Sequence, residues 1–187
     1  MRLITTNELK ALLTAGILLT VALLATGCAT IAAHQVATAK WQSLADQATT
    51  ALHIAPVSVV TTAGVHGRYT CASRRLELGT EDLPERSIRW LLAHELGHAL
   101  SDQCGDTLAS EQAANAAAVR VLVAWGMTEP QAAKEVILAL WSAAEHDWMR
   151  NMPGHDACAE MIAMLRTYPD VVNLKDGVCT ARLKAGG

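Results

Sequence analysis

Apolar side chains recur every three to four residues along most of the second half of the chain, a spacing that predicts α-helices. One such series is Ile88, Leu91, Leu92, Leu96 and Leu100. It predicts a helix that starts near Pro84 and runs through about Ser101. The same spacing, punctuated by Thr, Gly and Pro residues, predicts three further helices over about 108–125, 129–149 and 156–167.

The segment before these helices carries short β-branched runs instead. The strand candidates are 56–60, 68–72 and 75–78. A helix is predicted ahead of them, from Trp41 to about Leu52. Together these elements predict an α+β fold that is mainly helical, in which a small antiparallel sheet of about three strands packs beside the helix that contains residues 94–98.

The first 27 residues read as an export signal. Arg2 and Lys10 flank an uncharged apolar run at residues 11–25, which is shorter than the ~20 residues that a membrane-spanning helix needs. The following Ala-Thr-Gly-Cys sequence resembles a bacterial lipobox, although leucine is commoner where Ala25 stands. The resemblance implies cleavage before Cys28 and a lipid on its thiol. The mature protein is then expected at the bacterial cell envelope, periplasmic or on the outer surface, and an uncleaved signal anchor is the alternative.

The predicted order is a lipoprotein signal peptide at 1–27, a tether and helix at 28–55, and one further domain at 56–187, which contains residues 94–98. The whole chain has a formal net charge of −3 and no long basic run, so nothing indicates a nucleic-acid partner. Beyond Cys28 there are four cysteines: Cys71, Cys104, Cys158 and Cys179. An even number predicts two disulfides in an oxidising compartment, with three pairings open.

Residues 94–98 read His-Glu-Leu-Gly-His, the HExxH pattern. Positions i and i+4 lie on one face of a helix, so His94 and His98 can bind one ion through their imidazole nitrogens. Neutral imidazole suits Zn²⁺, which lowers the pKa of a bound water to about 7. Glu95 is rotated away from the ligand pair and is left to act as the general base. The pattern therefore predicts Zn²⁺-dependent hydrolysis.

A catalytic zinc site usually has a third protein ligand and one open position. Glu111 stands thirteen residues after His98, in the first turn of the next predicted helix. An antiparallel helix pair with a short loop would bring these two residues together. The metzincin pattern does not fit, because Cys104 stands where that family has its third histidine. The remaining alternatives for the third ligand are Cys104, Asp102 and Asp106.

Residues 94–115 resemble the gluzincin clan of metallopeptidases, in particular its minimal single-domain members. Those proteins have HExxH followed by a glutamate on a later helix, and here the later segment reads Glu-Gln-Ala-Ala-Asn at 111–115. The resemblance implies that Glu111 is the third zinc ligand. It also implies that Asn115 supports a ligand imidazole from behind, at a position where the larger gluzincins have Asp.

The same resemblance implies what surrounds the metal. A strand that borders the cleft is expected to bind an extended peptide or protein substrate by edge pairing, and residues 65–71 are the candidate. His155 is expected to be a second catalytic residue beside Glu95, stabilising the oxyanion, with a surface helix cap as its alternative role. Tyr69 and His146 are weaker candidates. Peptide-bond hydrolysis is the expected activity; a cell-wall peptide amidase and a non-proteolytic binding lipoprotein are the alternatives.

Overall fold

The computed structural model describes residues 35–64, 66–80, 83–146, 149, 152–172 and 179. The predicted signal peptide at 1–27 and the predicted lipid site at Cys28 lie outside these residues. The chain divides by internal contacts into residues 1–39 and 40–187. The elements that position the candidate site all belong to the second unit.

Helices dominate this unit. The first, α1, is described from residue 35 to residue 51. The others are α2 (Glu85–Ser101), α3 (Leu108–Ala124), α4 (Glu129–Glu145) and α5 (Ala157–Thr167). Thr107 Oγ accepts the backbone N–H of Ser110 at 3.2 Å, and a capping box formed by Thr128 and Gln131 opens α4. These side chains satisfy backbone donors at the helix starts, which is why α3 and α4 begin where the sequence predicted.

A mixed three-stranded sheet precedes α2. Its strands are β1 (Ser58–Thr62), β2 (Gly67–Thr70) and β3 (Arg75–Gly79), in the spatial order β1-β3-β2. The α+β class is confirmed, and β2 and β3 pair antiparallel as predicted, but β1 and β3 pair parallel, so the prediction of a wholly antiparallel sheet was wrong. The strands β1 and β2 run in opposite directions, and β3 turns back from β2 into the space between them, so it runs in the same direction as β1. In this central position Leu76 and Leu78 are fully buried.

Helix α2 is the element around which the others pack, and it contacts β2, β3, α3 and α4. Contacts between α2 and α3 run in opposite order along the chain: His98 with Ser110, His94 with Asn115, and Arg89 with Trp125. The two helices are therefore antiparallel. A Cβ on Gly97 would overlap the backbone carbonyl of Ala114, so this glycine sets how closely the helices approach.

The hydrophobic core joins α2 to the three later helices. Its largest fully buried side chains include Leu92, Leu96, Leu122, Ile137, Leu140 and Met161. Each such residue removes apolar surface from water, and the resulting packing fixes the backbone that carries the polar cluster described next. Within the described part of the chain, every helix is too short or too polar to cross a membrane.

Two disulfides join the chain, Cys71 with Cys104 and Cys158 with Cys179. The prediction of two disulfides is confirmed, and the structure selects one of the three possible pairings. The first bond ties the segment after β2 to the loop between α2 and α3. Such bonds indicate an oxidising, non-cytoplasmic location. Because its thiol is in a disulfide, Cys104 is excluded as a metal ligand.

Candidate metal centre

Three imidazole rings converge on one carboxylate oxygen. The Nε2 atoms of His94, His98 and His155 lie 3.1, 3.3 and 3.4 Å from Glu111 Oε2. Ligand atoms of His94, Glu111 and His155 all lie within 4.8 Å of one another, a cluster that could hold a metal ion. The structure thus brings together the three predicted ligands and the histidine that was predicted as a catalytic neighbour.

Local geometry explains why these side chains meet. His94 and His98 are one turn apart on α2, and their ring centroids are 4.9 Å apart. The loop over residues 102–107 is short, so Glu111 in the first turn of α3 faces back towards the end of α2. His155 immediately precedes α5. The cluster is therefore built from the end of one helix and the beginnings of two others.

The outer nitrogen of each ring is held by an oxygen. His94 Nδ1 lies 3.0 Å from Asn115 Oδ1, His98 Nδ1 lies 3.1 Å from the Gln103 carbonyl, and His155 Nδ1 lies 3.1 Å from Glu160 Oε1. Asn115 Nδ2 donates to Glu160 Oε2 at 2.6 Å, which fixes the amide so that its oxygen faces His94. These amide, carbonyl and carboxylate oxygens can only accept a hydrogen bond. Each Nδ1 must therefore carry the proton that is donated to them. Each neutral ring then presents the lone pair of Nε2 to the centre of the cluster.

Glu111 Oε2 is the observation that tests whether a metal fits. This oxygen is buried and accepts no hydrogen bond from any described residue. Burial acts to raise the pKa of Glu111, but protons carried by the nearby His94 and His98 rings outweigh it in the metal-free protein and lower that pKa to about 2, so the carboxylate is ionised. An anionic oxygen that faces three imidazole lone pairs is unfavourable unless protons or a cation lie between them. The residues present therefore fit a bound cation.

Glu95 packs against β2 and has 5% of its surface exposed. A Cβ on Gly67 would lie 2.5 Å from Glu95 Oε1, so the absence of a side chain at that position makes room for the carboxylate. Burial is the largest influence on the pKa of Glu95 and raises it, while His94 and His98 act in the opposite direction. A raised pKa suits a carboxylate that must take up a proton near neutral pH.

The cluster lies in an open cleft lined by β2, residues 103–106 and His155. Strand β2 is at the edge of the sheet, and β3 is its only strand neighbour among the described residues. The Gly79 N–H donates to the His66 carbonyl at 2.6 Å. By the alternation of antiparallel pairs, the backbone groups of Gly67 and Tyr69 therefore point away from β3. They are available to pair with an extended chain in the cleft.

Other predicted candidates fall outside the cluster. Asp102 ends α2 in a left-handed conformation and is exposed, and Asp106 is exposed at the cleft rim. His146 is exposed at the end of α4, with its Nδ1 2.9 Å from the Ser142 carbonyl. Tyr69 lines the cleft, as its strand position implied.

Sequence reasoning missed Glu160, which is fully buried in the first turn of α5. Its carboxylate oxygens accept hydrogen bonds from the Asn115 amide and from the Asp156 backbone N–H, and Oε1 also faces His155. No motif marks this residue. The sequence offered one indication, that Glu160 is a carboxylate in the first turn of the helix that follows His155. It does not show in which direction such a side chain points.

The likeness to the gluzincins rests on residues 94–115. The chain, including this segment, matches no protein-family model, and neither a curated protein nor a solved structure shows significant similarity to it.

Proposed function

We propose that this protein is a zinc-dependent peptidase of the cell envelope, in which His94, His98 and Glu111 bind the metal and Glu95 is the general base. The supporting observation is the convergence of imidazole nitrogens on the buried Glu111 Oε2, which has no hydrogen-bond donor among the described residues. Glu95 lies beside this cluster in a cleft bordered by an edge strand.

The ligand types and their spacing favour zinc. Imidazole nitrogen and carboxylate oxygen are both zinc ligands, with bonds of about 2.0–2.1 Å. When bound, zinc would supply a Lewis acid that polarises the scissile carbonyl and lowers the pKa of a water to about 7. The HExxH spacing places Glu95 beside the residues that would hold the ion, where it would act as a base and not as a ligand.

The chain's own residues account for the rest of the reaction. Glu95 accepts a proton from the attacking water and passes it to the leaving amine. Backbone groups of Gly67 and Tyr69 hold the substrate as an added strand, which sets the scissile bond in register with the metal. His155 is the residue that the gluzincin resemblance assigns to the oxyanion, and this role stays a prediction.

A Glu95→Gln variant tests the proposal, because the substitution keeps the size of the side chain and removes its ability to take a proton. We expect the parent protein to bind one zinc and to cleave an unfolded protein, with activity lost on chelation. The variant should keep its zinc and lose at least about 10²–10⁴-fold in turnover. His146→Gln, which changes an exposed histidine outside the cleft, is the control and should retain activity.

Parallel assays on cell-wall peptides separate the alternatives. Cleavage of these peptides but not of denatured protein would identify an amidase. A protein without stoichiometric zinc, or a Glu95→Gln variant as active as the parent, would contradict the proposed function.

We also propose that a lipid on Cys28 anchors the protein, which the oxidising location indicated by the disulfides supports. Cys28→Ser should move the protein from the membrane fraction to the soluble fraction and remove the mass of the lipid. Variant protein that stays in the membrane fraction would contradict this anchor.

A further inference from the structure

His155 presents a nitrogen to Glu111 at nearly the same distance as the two HExxH histidines do. We propose that His155 is a fourth protein ligand, so that the substrate-free enzyme encloses its metal with His94, His98, Glu111 and His155. The inference rests on the proposed function in one respect, the presence of a metal at this site. In this proposal His155 binds the metal ion directly, instead of stabilising the oxyanion as the gluzincin resemblance implies.

The three nitrogens lie at similar distances from the Glu111 oxygen, close to the spacing between two ligands of one zinc ion. Bonds of about 2.0–2.1 Å place neighbouring corners of a tetrahedron about 3.3–3.4 Å apart. Measured from Glu111 Oε2, the Nε2 atoms of His94, His98 and His155 lie at 3.1, 3.3 and 3.4 Å. By its distance from Glu111 Oε2, His155 is placed as well as His98 to share an ion with this carboxylate. Its ligand atom also lies within 4.8 Å of those of both His94 and Glu111.

Glu160 gives His155 the outer support that metal-binding histidines usually have. Glu160 Oε1 lies 3.1 Å from His155 Nδ1 and accepts the Asp156 N–H at 3.0 Å, and Oε2 accepts the Asn115 amide at 2.6 Å. Both carboxylate oxygens are thus acceptors, so the proton of the imidazole resides on Nδ1. The Nε2 lone pair is left facing the cluster, which is what a ligand requires.

The backbone before α5 holds the ring in place. Gly154 has φ +81°, and a Cβ there would overlap the backbone of Asp106, so the two loops that carry His155 and precede α3 are in direct contact. The Asp156 side chain caps α5 by accepting the Ala159 N–H at 3.1 Å. His155 therefore approaches the cluster from an ordered helix start.

A fourth protein ligand changes how the site works. Catalytic zinc sites usually keep one position open, whereas four protein ligands close a tetrahedral site. Side-chain exposure is 3% for His94, 12% for His98, 4% for Glu111 and 16% for His155. His155 is the most exposed of the four and lines the cleft. All four side chains line this cleft, and an entering substrate has to displace one of them to open a position on the ion. Because His155 stands outside the helices, we assign that displacement to it.

X-ray absorption spectroscopy of the exported zinc protein tests this, since it counts imidazole ligands directly. We expect three imidazoles in the parent and two in His155→Ala. Zinc affinity, measured by competition with a chelator, should fall in this variant by at least about 10–100-fold, the loss that follows removal of even an outer partner. His146→Ala is the matched control and should leave both readouts unchanged.

Glu160→Gln keeps the volume of the buried side chain and provides a second route if His155→Ala folds poorly. We expect its zinc affinity to fall by about 10–100-fold. Two imidazoles in parent and His155→Ala alike, or unchanged affinity in either variant, would overturn the fourth-ligand proposal and leave the three-ligand peptidase standing. A parent protein that binds no zinc would instead contradict the proposed function.

Discussion

Asn115 and Glu160 are joined by a 2.6 Å hydrogen bond from amide Nδ2 to carboxylate Oε2, and both side chains are fully buried. The other end of the amide faces His94, and the other carboxylate oxygen faces His155. One hydrogen bond therefore couples the orientation of two rings that point at Glu111. It also favours an amide over a carboxylate at position 115, because a carboxylate there would face the carboxylate of Glu160.

Asn115→Asp should accordingly be destabilising, although the two side chains are nearly the same size. It places two carboxylates in contact in the interior, and an uncompensated buried charge lowers the free energy of unfolding by about 3–5 kcal/mol. Denaturant unfolding of the metal-free protein measures the loss. The double variant Asn115→Asp with Glu160→Gln should recover most of it, because the new amide can donate to the new carboxylate. A single variant as stable as the parent would contradict the role given to Glu160.

Gly67→Ala should separate catalysis from metal binding. The added Cβ would lie 2.5 Å from Glu95 Oε1 and 2.8 Å from Leu91 Cδ1, so the Glu95 carboxylate must move. Because misplacement by about 1 Å can lower a rate about 10²-fold, we expect a large fall in turnover at unchanged zinc affinity. Gly105→Ala is the control, since a Cβ there meets nothing within 4 Å. Equal activity of the two variants would contradict the role given to the close approach of Gly67 to Glu95.

Zinc affinity should rise with pH through neutrality. Burial acts to lower the pKa values of His98 and His155, but the neighbouring carboxylates, Glu111 for His98 and Glu160 for His155, outweigh it and raise both above 6.5. In the metal-free protein these protons contribute stability that is present below 6.5 and is lost as pH rises through the raised values.

Zinc requires neutral rings, so it binds more tightly as those protons leave. Chelator competition across about pH 5.5–8.5 measures the trend. An affinity that is already independent of pH at 6.5 would contradict the raised pKa values.

Opening the Cys71–Cys104 bond should loosen substrate binding more than metal binding. The bond links the segment after β2 to the loop after α2, and both cysteines line the cleft, whereas no zinc ligand is attached to it. For Cys71→Ser with Cys104→Ser we expect a loss of about 2–4 kcal/mol in the free energy of unfolding. KM for a peptide should rise while zinc affinity is retained. An unchanged KM would show that the bond does not position β2.

Part of this site followed from the sequence because it depends on local geometry. Helical periodicity places His94 and His98 on one face of α2, and a short loop between antiparallel helices returns Glu111 to them. Each of these relationships spans fewer than about twenty residues, over which the helix repeat and loop length determine direction.

The sheet order and Glu160 did not follow, because both depend on long-range packing. Alternation along β1 and β3 shows which side chains face inward but not which strands are neighbours, and so the parallel pairing remained hidden. In the sequence, Glu160 cannot be told apart from the other carboxylates that stand near the start of a helix. Only the approach of α5 to α3, which brings it within 2.6 Å of Asn115, distinguishes it from a solvated side chain.

The position of β2 at the edge of the sheet has a consequence for the protein at high concentration. A strand with unpaired backbone groups can join the same strand of another copy, and such self-pairing would block the cleft while it nucleates aggregates. Two features of β2 oppose this: it is only four residues long, and it carries the exposed cation Arg68. Purification at low salt, where like charges on two copies repel over a longer range, should therefore favour the monomer.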